Sequence, residues 1–338
     1  MASPISRLGP EWLAHRYDPV EDDVHFVEAD RALRRSAPFL TDEHLPSALH
    51  PRVIRRGEAL AAAPEPAPVH FILHSAYCCS TLLANAYDRE GVASSLKEPL
   101  FLNDLVGWRH RGAAPPRVAE LIDNGLRLLA RPFEPGEAMV VKPSNVVNAL
   151  APVMLAMRPE AGCVLLYAPL RAFLGSIAKK GLWGRLWVRD LLVKQLKDGI
   201  VDLGFAPEDH LLQTDLQVAA VGWLAQHRLF ARLAREHPGR VRTLDSDSLL
   251  GRPEEALAAL DRLFGLDTDE AGREAVVAGA FRRHAKFGGA FDREARAAEQ
   301  AAAAEVHGDE IDKVVSWAEA VAASARIDFD LPGALLGE

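Results

Sequence analysis

The residues whose types and order suggest chemistry lie in one run, Val69 to Asp88, VHFILHSAYCCSTLLANAYD. Val69 to Leu73 are apolar and β-prone, while Leu82, Leu83 and Ala86 recur at helical spacing, so a tight loop must join a buried strand to a helix. Ser80 and Thr81 open that helix. Loop amides, two hydroxyls and the positive end of the helix dipole then meet at one place, which holds a phosphate-like group without any special side chain. The stretch is read as an anion cradle formed by Ser75, Ala76, Tyr77, Cys78, Cys79, Ser80, Thr81 and Leu82. No glycine and no lysine lie between His74 and Thr81, so the GxxxxGK[ST] loop of ATP-binding proteins is absent. The competing reading is a plain core strand turning into a core helix.

An anion held there must be met by cations gathered locally, because the 338-residue chain carries a net charge of −8 and has no global basic field. That balance argues against nucleic-acid and membrane-surface partners. Two basic clusters stand out: Arg171, Lys179 and Lys180, and Arg282, Arg283 and Lys286 beside Gly288 and Gly289. Cys78, Cys79 and Cys163 are the only cysteines; they match neither a redox C-x-x-C nor a zinc spacing and are read as reduced thiols. The histidines lack the partners a metal site needs, so no metal is expected. No apolar run approaches the roughly 18 to 20 residues that span a bilayer, and MASPISRLGPEWLAHRYD lacks the apolar middle of a signal peptide. A cytoplasmic location follows as the expectation, and a homo-oligomer is compatible with the sequence.

The elements that position these residues alternate. Candidate strands are Val69 to Leu73, Val92 to Leu96, Ala138 to Lys142, Cys163 to Ala168 and Arg240 to Leu244. Between or after them, Arg117 to Ala130, Asp215 to Glu236 and Pro253 to Phe264 carry helical patterns. Alternation of this kind predicts an α/β fold, three-layer αβα, with a central mostly parallel sheet of about five strands. Residues 1–66 read as an N-terminal extension packed on the core, dense in charge and poor in strand signals, closing in the Ala/Pro-rich AAAPEPAP. Residues 67–338 read as the α/β domain, with a helical tail from about 292 to 338 broken into two helices near Gly308.

Five segments fall where the carboxyl ends of parallel strands would put them, the edge at which open α/β sheets bind ligands. They are the cradle 74–81, SLKEPLFLNDL (95–105), VVKPSNVVNAL (140–150), LLYAPLRAFLGSIAKKG (165–181) and FRRHAKFGG (281–289). With VRTLDSDSLLGRPEEALAALDRLFGL (241–266) after them, their order and spacing over roughly residues 67 to 290 resemble the P-loop-like sulfotransferase family, in particular bacterial members.

The resemblance implies a sulfotransferase-like α/β fold and an enzyme that moves a sulfuryl group from 3′-phosphoadenosine 5′-phosphosulfate to a hydroxyl or amine of a small-molecule or peptide acceptor. It places Ser80 and Thr81 on the donor's phosphosulfate, Lys142 as a neighbouring cation and Glu98 as the base, with His74 as an alternative base. Ser176 and Arg171, or Arg282, Arg283 and Lys286, are implied at the 3′-phosphate. The transfer is a loose in-line displacement that does not demand a metal. Three positions depart from the family's pattern: Tyr77 stands where a lysine or arginine is usual, Cys79 where glycine is usual and Ala168 where an arginine is usual. Those departures leave room for a catalytically inactive nucleotide- or anion-binding protein of the same fold. A nucleotide-dependent kinase is a third reading, disfavoured by the missing GK[ST].

Overall fold

The computed structural model describes residues 8–282 and 293–337. Among the described residues eight strands lie in two sheets: a three-stranded sheet β1-β2-β3 and a five-stranded sheet in the order β5-β6-β4-β7-β8. The strands are β1 (Trp12–Asp18), β2 (Asp23–Glu28), β3 (Arg52–Arg55), β4 (Val69–His74), β5 (Ala93–Lys97), β6 (Ala138–Lys142), β7 (Cys163–Tyr167) and β8 (Val241–Asp245). The larger sheet is the central, helix-flanked parallel sheet of an α/β fold, and its strands fall within a residue or two of the runs read from sequence. Among the described residues no helix is long and apolar enough to cross a membrane.

The chain divides into two compact units. One comprises residues 1–73, 81–163 and 261–270. Here β5 and β4 each pair in parallel with β6, in a register that sets Ala93 against Ala138, Lys97 against Lys142 and Val69 against Met139. Every residue of β4, β5 and β6 is buried, which is why β4 and β6 are predominantly apolar instead of alternating, whereas β5 buries Ser94, Ser95 and Lys97 as well. The N-terminal part of this unit contains an antiparallel sheet that the sequence reading lacks, besides the short helices Arg31–Ser36 and Arg56–Ala62. Its strands are four to seven residues long, irregular between Ala14 and Arg16, and studded with charge. The Arg16 guanidinium donates twice to the Asp104 carboxylate at 2.9 Å, tying β1 to the helix Leu100–His110.

The other unit comprises residues 74–80, 164–260 and 271–338. The helices Leu170–Lys179, Gly181–Lys197 and Asp215–Glu236 belong to it, the last opened by a reciprocal cap between Thr214 and Gln217. Gly184 permits a tight turn between the first two: a Cβ there would lie 2.6 Å from the Ile177 carbonyl oxygen. The tail departs from expectation, since Arg293–Ala325 is one 33-residue helix that runs through Gly308 without a break. A single glycine costs about 1 kcal/mol against alanine in a helix, and the surrounding anchors exceed that. Ile311, Val314, Ala318 and Ala322 are buried along it, and Arg171 pairs with Asp312 and Arg185 with Glu310.

Candidate functional site

In the first unit the register of β5 against β6 puts Lys97 level with Lys142, so the next residue, Glu98, arrives beside Lys142. The Glu98 amide donates to the Lys142 carbonyl oxygen at 2.7 Å, and the Lys142 ammonium donates to the Glu98 carboxylate. Lys142 is almost fully buried and its ammonium also lies 5.0 Å from the centre of the Phe39 ring. Glu98 takes a left-handed backbone, φ 55°, a conformation that costs a non-glycine residue on the order of 1–3 kcal/mol and survives only where the surroundings impose it. Two links to Lys142 impose it here. Lys97 faces elsewhere: its ammonium donates to the Arg35 carbonyl and to Asn85 Oδ1, and burial pushes its pKa down to about 8.

In the second unit the loop 74–80 is sewn to the backbone that follows β7. The Ser75 amide donates to the Leu166 carbonyl oxygen at 3.0 Å, the Cys78 thiol donates to the same oxygen, and the Ala168 amide donates to Ser75 Oγ. The indole of Trp223 donates to the Ala168 carbonyl at 2.9 Å, so position 168 is buried and fixed through its main chain. His74 is turned inward, accepting the Ala76 amide on Nδ1 at 3.1 Å. Two of the cradle amides, those of Ser75 and Ala76, are thus engaged within the unit, and the Nδ1 of His74 is not available as a base.

The remaining loop is unusually wound. Ala76, Tyr77 and Cys79 have φ of 74°, 52° and 65°, three left-handed residues without one glycine. Left-handed residues are one ingredient of the turns whose main-chain amides take up anions. The φ at Cys79 is one that glycine takes without strain. The Tyr77 ring packs against Phe173 and Trp187 at 6.1 and 5.4 Å, and burial raises the pKa of its phenol. The Lys180 ammonium lies 5.7 Å from the Tyr77 ring centre and 5.3 Å from that of Trp183. Ser80 and Thr81 are buried at the head of the helix Ser80–Ala86, with Leu82 behind them.

One cation on this loop was not expected from sequence. Arg296, from the C-terminal helix, donates to Cys79 Sγ at 3.1 Å, to the Tyr77 carbonyl oxygen at 3.2 Å and to Ser246 Oγ at 3.1 Å. It lies 217 residues from Cys79 in an alanine-rich run, and no local pattern marks it.

No family model matches this chain, and no curated protein matches it. Among the solved structures similar to it are two sulfotransferases. Sulfotransferase STF9 from Mycobacterium avium shares 13% identity over 73% of this chain and 78% of that one, with a TM-score of 0.42. The sulfotransferase domain from the curacin biosynthetic pathway shares 13% identity over 79% of this chain and 99% of that one, with a TM-score of 0.38.

The other candidate positions are spread out. Arg171 is exposed and paired with Asp312, while the Ser176 hydroxyl donates back to the Ala172 carbonyl at 2.9 Å. Five positions apart on one helix, they stand about 140° apart around its axis and do not share a face. Arg283 and Lys286 lie outside the described residues, as does the side chain of Arg282. Among the described residues no cluster of three or more metal-ligating side chains is found.

Proposed function

We propose that the protein is a sulfotransferase, moving a sulfuryl group from 3′-phosphoadenosine 5′-phosphosulfate to a hydroxyl or amine of a small-molecule or peptide acceptor. The observation that carries the reading is the loop after β4, with three left-handed residues ahead of the Ser80–Thr81 helix start and a guanidinium seated on it. The ordered series of motifs along the sequence supplies the choice of donor. On this reading the loop backbone with Ser80 and Thr81 holds the phosphosulfate end of the donor, and Ser176 with Arg171 or the 282–286 cluster serves the 3′-phosphate.

Glu98 takes the proton of the acceptor, which makes the oxygen or nitrogen a better nucleophile as the bond to sulfur forms. Its ion pair with Lys142 orients the carboxylate, and on accepting the proton Glu98 ceases to neutralise the ammonium. The donor supplies an already activated sulfuryl group and needs no metal for its transfer.

The same ion pair favours a second reading. A base and a cation that neutralise each other, with tyrosine at position 77, also describe a nucleotide- or anion-binding protein that does not turn over. Calorimetry with 3′-phosphoadenosine 5′-phosphate against ADP, with and without Mg²⁺, followed by radiolabelled sulfuryl transfer over an acceptor panel, separates these. Preference for the 3′-phosphorylated nucleotide with transfer supports the enzyme. Binding without transfer supports the second reading, and preference for ADP with Mg²⁺ sinks both in favour of a kinase.

A further inference from the structure

Arg296 is half-buried, and all three groups that accept its hydrogen bonds are neutral: a thiol, a carbonyl and a hydroxyl. Among the described residues no carboxylate pairs with it; the Ser246 hydroxyl passes its own proton on to Asp247 Oδ1 at 3.3 Å. Its Nε is buried without a hydrogen-bond partner. Two other arginines of this unit, by contrast, are neutralised: Arg185 pairs with Glu310 and Asp215, and Arg189 with Asp215. A guanidinium withdrawn from water with neutral partners and an orphaned donor is costly to keep, and the group that relieves it is an anion.

The side chain is also the right kind for that anion. Its planar fork donates two parallel bonds to phosphate or sulfate oxygens, and such charged bonds are roughly twice as strong as the neutral ones it makes with Cys79 and Tyr77. A phosphate-bearing ligand therefore outcompetes the loop for the guanidinium without any change in fold.

We propose that Arg296 is a donor-binding residue: delivered from the C-terminal helix, it grips the 5′ anionic group of the nucleotide from beside the loop, where position 77 carries no cation. This rests on the sulfotransferase reading for the identity of the nucleotide, and on the geometry alone for the anion. The C-terminal helix then belongs to the binding site and is more than a brace for the fold.

The test compares two probes on wild-type protein and on Arg296→Ala and Arg296→Lys: 3′-phosphoadenosine 5′-phosphate, and adenosine 3′-phosphate, which lacks the 5′ group. Arg296→Ala is expected to weaken the first by about 10- to 100-fold, the range for one charge-assisted contact, and to leave the second unchanged; Arg296→Lys recovers part of the loss. Equal losses on both probes, or no loss on either, overturn the proposal. Melting temperatures of the unliganded variants identify a variant that has simply failed to fold, and Ser246→Ala, which removes one partner of Arg296, then stands in with a smaller loss confined to the first probe. Alkylation of Cys79, the one cysteine that is not buried, provides a readout independent of nucleotide identity. Wild-type protein that binds neither nucleotide, yet whose Cys79 is shielded by inorganic pyrophosphate in an Arg296-dependent way, sinks the donor assignment and keeps Arg296 as an anion-binding residue. No shielding by either probe sinks Arg296 as well.

Discussion

Glu98 and Lys142 are bound to each other twice, once through main chain, where the Glu98 amide donates to the Lys142 carbonyl oxygen at 2.7 Å, and once through side chains. The parallel register of β5 on β6 creates the first contact and thereby fixes the second. The pair is asymmetric in solvation: the lysine side chain is 1% exposed and the glutamate 18%. Removing the carboxylate strands a buried ammonium, whereas removing the ammonium leaves a carboxylate that water can still reach.

The first prediction follows from that asymmetry. Glu98→Ala is expected to cost on the order of 3–5 kcal/mol in urea denaturation, the usual loss when one partner of a buried pair is deleted, and Lys142→Met distinctly less. Glu98→Gln keeps an acceptor for the ammonium but cannot take a proton. It should hold nucleotide affinity near wild type while turnover falls on the order of 10² or more. Unchanged turnover removes Glu98 as the base; a Lys142→Met loss equal to that of Glu98→Ala contradicts the burial argument.

The loop gives a second prediction. Ala76 has φ 74°, where an L-residue is strained and glycine is not. Ala76→Gly should stabilise the fold by up to about 1 kcal/mol, relief of strain outweighing the extra freedom glycine brings to the unfolded chain. Its amide bond to His74 Nδ1 is retained, so the loop keeps its shape. A lower denaturation midpoint for Ala76→Gly counts against the left-handed conformation. Cys79→Gly, by contrast, relieves strain but gives up the Arg296 contact, and should change stability little.

These positions show where the sequence was readable and where it was not. β6 and β7 were legible because burial leaves apolar runs, AMVVK and CVLLY, and the loop because small residues and two hydroxyls sit between strand and helix. β1 to β3 were illegible: WLAHRYD and RVIR mix charge with apolar residues on short strands, and the Arg16–Asp104 contact that holds them is 88 residues long-range. Gly308 alone points to a break in the tail, whereas the buried residues that hold the helix together on both sides of it are set by packing and not by local propensity. Arg296 was invisible for the same reason. Its role depends on where a 33-residue helix docks, and nothing in REARAAEQ encodes that.

Lys97 supplies a prediction on pH. Burial, with smaller contributions from Lys142 and Arg35 against an opposing one from Asp88, lowers its pKa from 10.5 to about 8. Below pH 8 the amine is charged in folded and unfolded states alike and its burial penalty is constant. Between about pH 8 and 10.5 the unfolded chain holds more protons, so the penalty is relieved and stability rises with pH. Lys97→Met removes this group, so the stability difference between wild type and variant should shift toward wild type from pH 7.5 to pH 10 in paired urea titrations. Parallel profiles would show that Lys97 is not desolvated.

On the acid side two buried histidines, one in each unit, are expected to cost stability. His70 accepts the Gly162 amide on Nδ1 at 3.1 Å and stacks on Phe264, and burial lowers its pKa to about 4. His227 stacks on Trp223 at 3.9 Å and reaches the Phe329 carbonyl oxygen at 2.7 Å; burial lowers it to about 4 as well, outweighing the opposing pull of Phe329 and Asp330. Both stay neutral in the fold while the unfolded chain takes up protons from pH 6.5 downward, so stability is lost as pH falls from 6.5 toward 4 and is fully present above 6.5. Holding the Gly162 amide requires the lone pair of His70, and holding Phe329 requires the proton on His227 Nε2, so protonation breaks the first bond but not the second. His70→Asn, which retains an acceptor, is therefore expected to flatten the acid limb of a urea-midpoint profile between pH 6.5 and 4, and His227→Gln to flatten it independently. Two variants that each leave the limb as steep as wild type would assign acid sensitivity to the carboxylates instead, Asp22 and Glu137 first among them because both are held below their ordinary values by their hydrogen-bond partners.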